Sequence, residues 1–185
     1  MSRIMRLDQF SNAGFDRGAS RLVEAVWIAL SGLLFSSWLP GSRWRSALLR
    51  AFGARIGRGV VIKPGVRIKF PLRLSIGDNV WLGEAVWIDN LVQVKIGSNS
   101  CISQGAYLCT GSHDWTASAF NLIARPITVG SGCWIGAHAR VAPGTIMGDG
   151  AVLVMGAFAS GHLDPGSIYL RDGTRKLRKS QNQMR

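Results

Sequence analysis

The chain carries three histidines, and His113 has a setting the other two lack, in the segment Cys109-Thr110-Gly111-Ser112-His113-Asp114-Trp115. An imidazole titrates near neutral pH, so a histidine held at a loop can take a proton from a hydroxyl. Moving an acyl group from a thioester to an alcohol needs that step. Ser112, Asp114 and Trp115 lie beside the histidine in the same segment and are candidates to contact a substrate there. His138, in Ile135-Gly136-Ala137-His138, reads as a corner residue or a partly exposed side chain, and His162, near Asp164-Pro165, as a surface residue. The cysteines Cys101, Cys109 and Cys133 show neither CxxC nor His-paired spacing. A disulfide framework and a zinc site are therefore disfavoured, no metal is expected, and a reducing cytoplasm is the natural compartment. Nothing in the sequence requires a nucleophilic cysteine, and Cys109 in that role is a minor alternative.

The elements that must position these residues come from a repeat. Aliphatic residues open successive short units at Ile56, Ile62, Ile68, Ile76, Leu82, Ile88, Ile96, Ile102, Leu108, Val129, Ile135, Val141, Met147 and Leu153. Seven of these are followed directly by glycine, and the fifth position is small or β-branched, as in Val60, Val80, Ala106, Cys133 and Ala151. A six-residue period does not keep one face of an α-helix inward. Three short strands per turn of a triangular prism satisfy it, at about eighteen residues per turn. The extra residues between units fall after every third unit, so the insertions leave from one corner, and His113 lies on the longest of them, residues 110–128. Function on a solenoid concentrates on such loops. Asp89 and Asn90 sit one coil below it by the same count and are candidates to hydrogen-bond a sugar or the histidine.

The chain of 185 residues divides into an apolar and basic helical segment (1–52), the repeat domain (53–166) and a basic tail (167–185). Leu22 to Leu39 holds one charge, Glu24, over a length at the lower edge for spanning a bilayer. The next stretch places Trp44, Leu48 and Phe52 on one side of a basic amphipathic helix. Residues 22–52 thus form either a membrane-surface hairpin or two helices packed on the domain or on a partner subunit. The net charge of +12 is concentrated at the ends, with 8 Lys/Arg against 3 Asp/Glu in residues 1–55 and 6 against 1 in residues 167–185. That pattern suits an acidic membrane surface or the phosphates of a small molecule. The prism is close to neutral and carries no reader motif, so nucleic acid is not an expected partner.

From about Gly53 to Ser167 the sequence resembles the hexapeptide-repeat O-acetyltransferases. The likeness is carried by Phe52-Gly53-Ala54-Arg55-Ile56-Gly57, Val86-Trp87-Ile88-Asp89-Asn90-Leu91, Cys101-Ile102-Ser103-Gln104-Gly105 and Gly111-Ser112-His113-Asp114-Trp115. It is strongest to the colanic-acid-type exopolysaccharide enzymes and more distant to the maltose and galactoside enzymes. The resemblance implies an all-β, left-handed parallel β-helix, a homotrimer with sites in clefts between prisms, acetyl-CoA as donor substrate and no permanently bound cofactor. It also implies His113 as general base in a ternary complex, and a sugar or lipid-linked glycan as acceptor. Trp134, Gly136, Ala137, Met155, Gly156 and Ser160 fall by position on the family's cofactor-contacting segments, and Arg175 and Arg178 are placed to meet the phosphates. Relatives commonly carry Thr-Lys where this chain has Ser160-Gly161, and an asparagine-bearing segment where it has Leu82-Gly83-Glu84, which argues against a free disaccharide. The alternatives are a serine or amino-sugar acyltransferase, a carbonic anhydrase of the same fold and a non-catalytic scaffold. With the apolar N-terminus, the first reading places the enzyme in the cytoplasm, at the inner face of the cytoplasmic membrane.

Overall fold

The computed structural model describes residues 4–177. Every one of the fourteen unit-opening aliphatic residues is buried, from Ile56 at 9% exposure to Leu82, Ile88 and Leu108 at 0%, and they share one core with Val80, Ala106, Cys133 and Ala151. The units stack in parallel register into a left-handed β-helix with three faces. The first face runs Arg55–Ile56, Leu74–Ile76, Val94–Ile96, Ile127–Val129, Ile146–Met147 and His162–Leu163. The second runs Val61–Ile62, Trp81–Leu82, Cys101–Ile102, Trp134–Ile135, Val152–Leu153 and Ser167–Tyr169. The third runs Arg67–Ile68, Trp87–Asp89, Tyr107–Cys109, Arg140–Val141 and Phe158–Ala159.

The glycine after the inward aliphatic residue follows from coil stacking. A Cβ on Gly97 would lie 2.5 Å from the backbone of Gly130, and one on Gly136 would lie 2.5 Å from the amide of Met155. Asn79 and Asn99, at φ of 56° and 58°, take the left-handed bend between the first and second faces, a conformation asparagine tolerates better than most residues. His138 turns the next corner at φ 56°, so it serves the bend and is exposed. All three insertions leave between the third and first faces, as the spacing requires.

A solenoid must close its open ends. At the N-terminal end, α1 (Arg21–Leu30) continues through a π-helical turn, Ser31–Phe35, and after a bend comes α2 (Arg43–Ala51). Trp27, Phe35 and Leu49 join the prism core, and Trp27 donates its indole N–H to the carbonyl of Ile68 at 2.9 Å. The inward side of α2 is centred on Arg45 and Leu49, both 0% exposed, while Trp44, Leu48 and Phe52 are only partly buried. The expected apolar stripe is thus rotated by one residue. A buried arginine is tolerated because its guanidinium donates to the carbonyls of Phe35, Ser37 and Gly41 at 2.9, 2.6 and 2.8 Å. Burial draws its pKa down from the usual value. No helix among the described residues is long and apolar enough to cross a membrane.

At the other end the expected tail boundary is too early. Ser167–Tyr169 is a strand of the second face, and Arg175–Leu177 folds back antiparallel on it. The spacing shortens after Ala159, where the next inward residue is Leu163, so these coils escape a strict six-residue count. Arg178 lies outside the described residues.

Candidate active site

The long insertion begins as a hairpin rather than as an irregular loop. Gly111–His113 pairs antiparallel with Leu122–Ala124, which sets His113 opposite Leu122. The His113 ring lies parallel to Phe120 at 4.2 Å between centroids and meets Phe10 edge-on at 5.2 Å. Its Nδ1 lies 2.8 Å from the carbonyl oxygen of Phe120. A carbonyl can only accept, so the neutral ring carries its proton on Nδ1 and leaves Nε2 with a free lone pair. Phe120 holds φ 49°, an unfavourable value for a bulky residue, at the position that supplies this oxygen.

His113 opens on a cavity of about 270 Å³. Half of its wall comes from the N-terminal segment, through Phe10, Asn12, Phe15, Arg17 and Glu24, and the rest includes Lys69, Phe70 and Leu91 from the same corner as the hairpin. Arg17 and Glu24 form an ion pair at 2.5 Å, the amide of Arg6 donates to Ser118 at 2.8 Å, and Arg73 donates to the carbonyls of Asp16 and Leu91. Sequence reasoning missed these N-terminal residues. No periodic signal marks them, and their role depends on the chain folding back across the corner.

A second, apolar cavity of about 450 Å³ adjoins the first, with Glu24 and Lys69 lining both. Trp27, Ile28, Gly32, Ile68 and Trp87 form its walls, between α1 and the third face. On that face Arg67 lies over Trp87, and Trp87 stacks on Tyr107 at 4.6 Å.

The expected acceptor residues divide. Asn90 is fully buried, and its amide clamps the main chain of Phe70 by accepting from its N–H at 3.0 Å and donating to its carbonyl at 2.7 Å. It is therefore not a ligand contact; it shapes the corner that lines the cavity. Asp114 also has a local task. Its carboxylate accepts from the Thr116 amide and hydroxyl at 2.9 and 2.6 Å, and these bonds hold its pKa below the usual carboxylate value. Asp89 points away from the prism core but is largely covered, its side chain 14% exposed, paired with Lys69 at 3.0 Å and accepting from the Tyr107 hydroxyl at 3.1 Å. Burial, reinforced by Cys109 and Asp89, pushes the Tyr107 phenol well above its ordinary range. Ser112 and Trp115 are exposed on the hairpin.

Trp134, Ala137, Met155 and Gly156 stack along the second face and its corner with the third, and the amide of Gly156 donates to Ala137 at 2.8 Å. Trp134 is half exposed and donates to the Ser103 hydroxyl at 2.9 Å, and Met155 is 64% exposed. Gly136 is buried, and coil stacking alone accounts for it. Ser160 lies between the third and first faces, on the edge that bears the hairpin, and Arg175 pairs with Asp164. One prism therefore carries His113 and the Trp134–Met155 row on different edges. The three histidines are likewise spread over a hairpin, a corner and the first face, and no metal-holding cluster of His, Cys, Asp or Glu exists among the described residues. Cys133 is core, and burial raises its thiol pKa.

Residues 126–158 match the family model described as hexapeptide repeat of succinyl-transferase. WcaF of Escherichia coli (strain K12), assigned as a colanic acid biosynthesis acetyltransferase, is 44% identical over 139 residues, which cover 74% of this chain and 76% of that protein. Among solved structures, a hexapeptide-repeat acetyltransferase of Vibrio cholerae superposes with a TM-score of 0.77 at 21% identity, covering 88% of this chain and 96% of the other. It has also been solved with acetyl coenzyme A. A galactoside acetyltransferase in complex with coenzyme A gives a TM-score of 0.75 at 21% identity, covering 88% and 82%. With a shared fold and this level of identity over most of its length, the chain belongs to the hexapeptide-repeat family of acetyltransferases.

Proposed function

We propose that the protein transfers an acetyl group from acetyl-CoA to a sugar hydroxyl in the assembly of a surface polysaccharide, with His113 as general base. The observation that carries this reading is the Phe120 carbonyl on Nδ1, which leaves Nε2 as the ring's acceptor in a histidine that lines a cavity with aromatic and charged walls. In the proposed step Nε2 takes the proton of the acceptor hydroxyl as its oxygen attacks the thioester carbon. The tetrahedral intermediate then expels the thiolate of coenzyme A, and the proton from the imidazolium goes to that sulfur. No acyl-enzyme forms.

The donor is proposed to lie along the row of Trp134, Ala137, Met155 and Gly156 of one prism, against Ser160 on the hairpin-bearing edge of its neighbour, with Arg175 as a partner for its phosphates. Because that row and His113 occupy different edges of one prism, a homotrimer completes the site by placing the edge of one prism against the row of its neighbour. Ser112, Asp89 and Trp115 remain candidates for acceptor contact. The apolar cavity beside the His113 cavity favours the lipid-linked form of the acceptor over a free sugar, since it would take apolar chain next to the reacting group. Such a substrate places the enzyme at the inner face of the cytoplasmic membrane.

The test is acetyl-CoA binding and slow thioester hydrolysis by the purified protein, wild type beside His113→Ala. Binding by both with turnover lost only in the variant supports the mechanism. Absence of binding by either sinks the donor assignment and turns the reading toward a scaffold.

A further inference from the structure

A helix lying on a domain normally shows solvent a polar side, and one that is apolar all round is covered by something. In α1 the inner side carries Trp27, while the opposite side presents Leu22, Ala25, Val26 and Ala29, all exposed. The π-helical turn and the bend after it add Leu33 at 77%, Trp38 at 79% and Leu39 at 54% exposure. Eight of the eighteen exposed large hydrophobic side chains among the described residues fall between Leu22 and Leu39. The one charge within that stretch, Glu24, is turned inward to Arg17, with its side chain 15% exposed. Exposed Arg21 and Arg43 bracket the stretch.

We propose that this outer face docks on an anionic lipid bilayer, with Leu22, Val26, Leu33, Trp38 and Leu39 entering the headgroup boundary and Arg21 and Arg43 meeting lipid phosphates. It names the surface for the membrane placement proposed above and is independent of the acetyl transfer. Charge complementarity selects the occupant. A second copy on this face would bring its own arginines toward these, in a chain of net charge +12, whereas an acidic bilayer neutralises them. The geometry fits lying in the interface rather than crossing it. Arg45 holds the carbonyls of Phe35, Ser37 and Gly41, which fixes the bend that interrupts the apolar run and keeps Trp38 projecting. The side of α2 bearing Arg45 and Leu49 is turned into the protein, so the membrane surface is the outer side of α1 and the bend, not a two-helix hairpin.

The experiment is flotation of the full-length protein with phosphatidylcholine vesicles, with and without phosphatidylglycerol. Wild type is expected to float with the anionic vesicles and to be released by salt. Leu33→Ser with Trp38→Ser is expected to reduce the bound fraction about tenfold at unchanged Tm. Arg21→Gln with Arg43→Gln is expected to remove the preference for phosphatidylglycerol. If wild type stays unbound, both the surface and the membrane placement fall. If Leu33→Ser with Trp38→Ser floats like wild type, the placement survives and this surface is wrong. If that variant instead lowers the sedimentation mass without lipid, the face is a subunit interface and the proposal is overturned.

Discussion

The prism and the N-terminal segment meet at His113 and are built on opposite principles. In the prism, one six-residue pattern is repeated and every inward position is filled by an aliphatic residue or a small neighbour, so the hairpin stands on a stack that repeats its own register. The segment of residues 4–52 has no repeat. It is held on the prism by the burial of Trp27, Phe35 and Leu49 and by specific bonds such as the Trp27 indole on Ile68 and the Ser36 hydroxyl on Val66, and its own bend is held by the guanidinium of Arg45. The contrast separates two tasks. The stack fixes the base in space, and the segment closes the cavity in which the base works.

Substitutions on the two sides sharpen that division. The largest effect is expected at the base itself. His113→Asn should lower turnover by about a thousandfold while leaving donor binding and Tm in place. Equal loss of binding would mean that the ring is structural. In the stack, Leu108→Ala removes a fully buried side chain directly before the hairpin and should cost about 3 kcal/mol by denaturant unfolding, as a cavity in a well-packed core does. Arg45→Met should cost about 2 kcal/mol, because the buried carbonyl of Phe35 and the partly buried carbonyls of Ser37 and Gly41 lose their donor. Its signature is local, with faster amide exchange from Ser31 to Ala51 and little change in the coils beyond Ile96. Uniform loss of protection would show that segment and prism unfold as one unit.

Phe10→Ala is expected to leave stability within about 0.5 kcal/mol. It should also raise acetyl-CoA hydrolysis severalfold relative to transfer, because Phe10 packs on the His113 ring at 5.2 Å and its removal opens that side of the ring to water. An unchanged ratio would remove the segment from the site. The smallest effect is at Asp114. Its folded pKa is depressed, so the turn it caps is favoured while the carboxylate is ionised, and that contribution is lost as pH falls through the folded pKa. Asp114→Asn should flatten the acid limb of the hairpin's exchange protection, without affecting it at neutral pH and above by more than the loss of one exposed turn.

The stack was legible in the residues alone, because a period is a local property. Each aliphatic residue, each following glycine and the phase of the insertions can be counted without knowing any distance, and together they require three strands per turn and a single corner for the loops. The same count isolated His113 and the edge on which it stands. Which neighbours serve it depends on how the chain folds around that edge. Asn90 looked like a sugar ligand and is a buried clamp on Phe70, and Asp114 caps its own turn through one carboxylate oxygen. Phe10, Phe15 and Arg17 carry no pattern at all and become part of the cavity because α1 and the chain before it fold back over the corner. Arg45 went inside because three carbonyls waited there at bonding distance. The physical reason is the same in each case: burial, hydrogen-bond partners and shared walls belong to pairs of residues distant in sequence, and periodicity records only what each residue shares with its next turn.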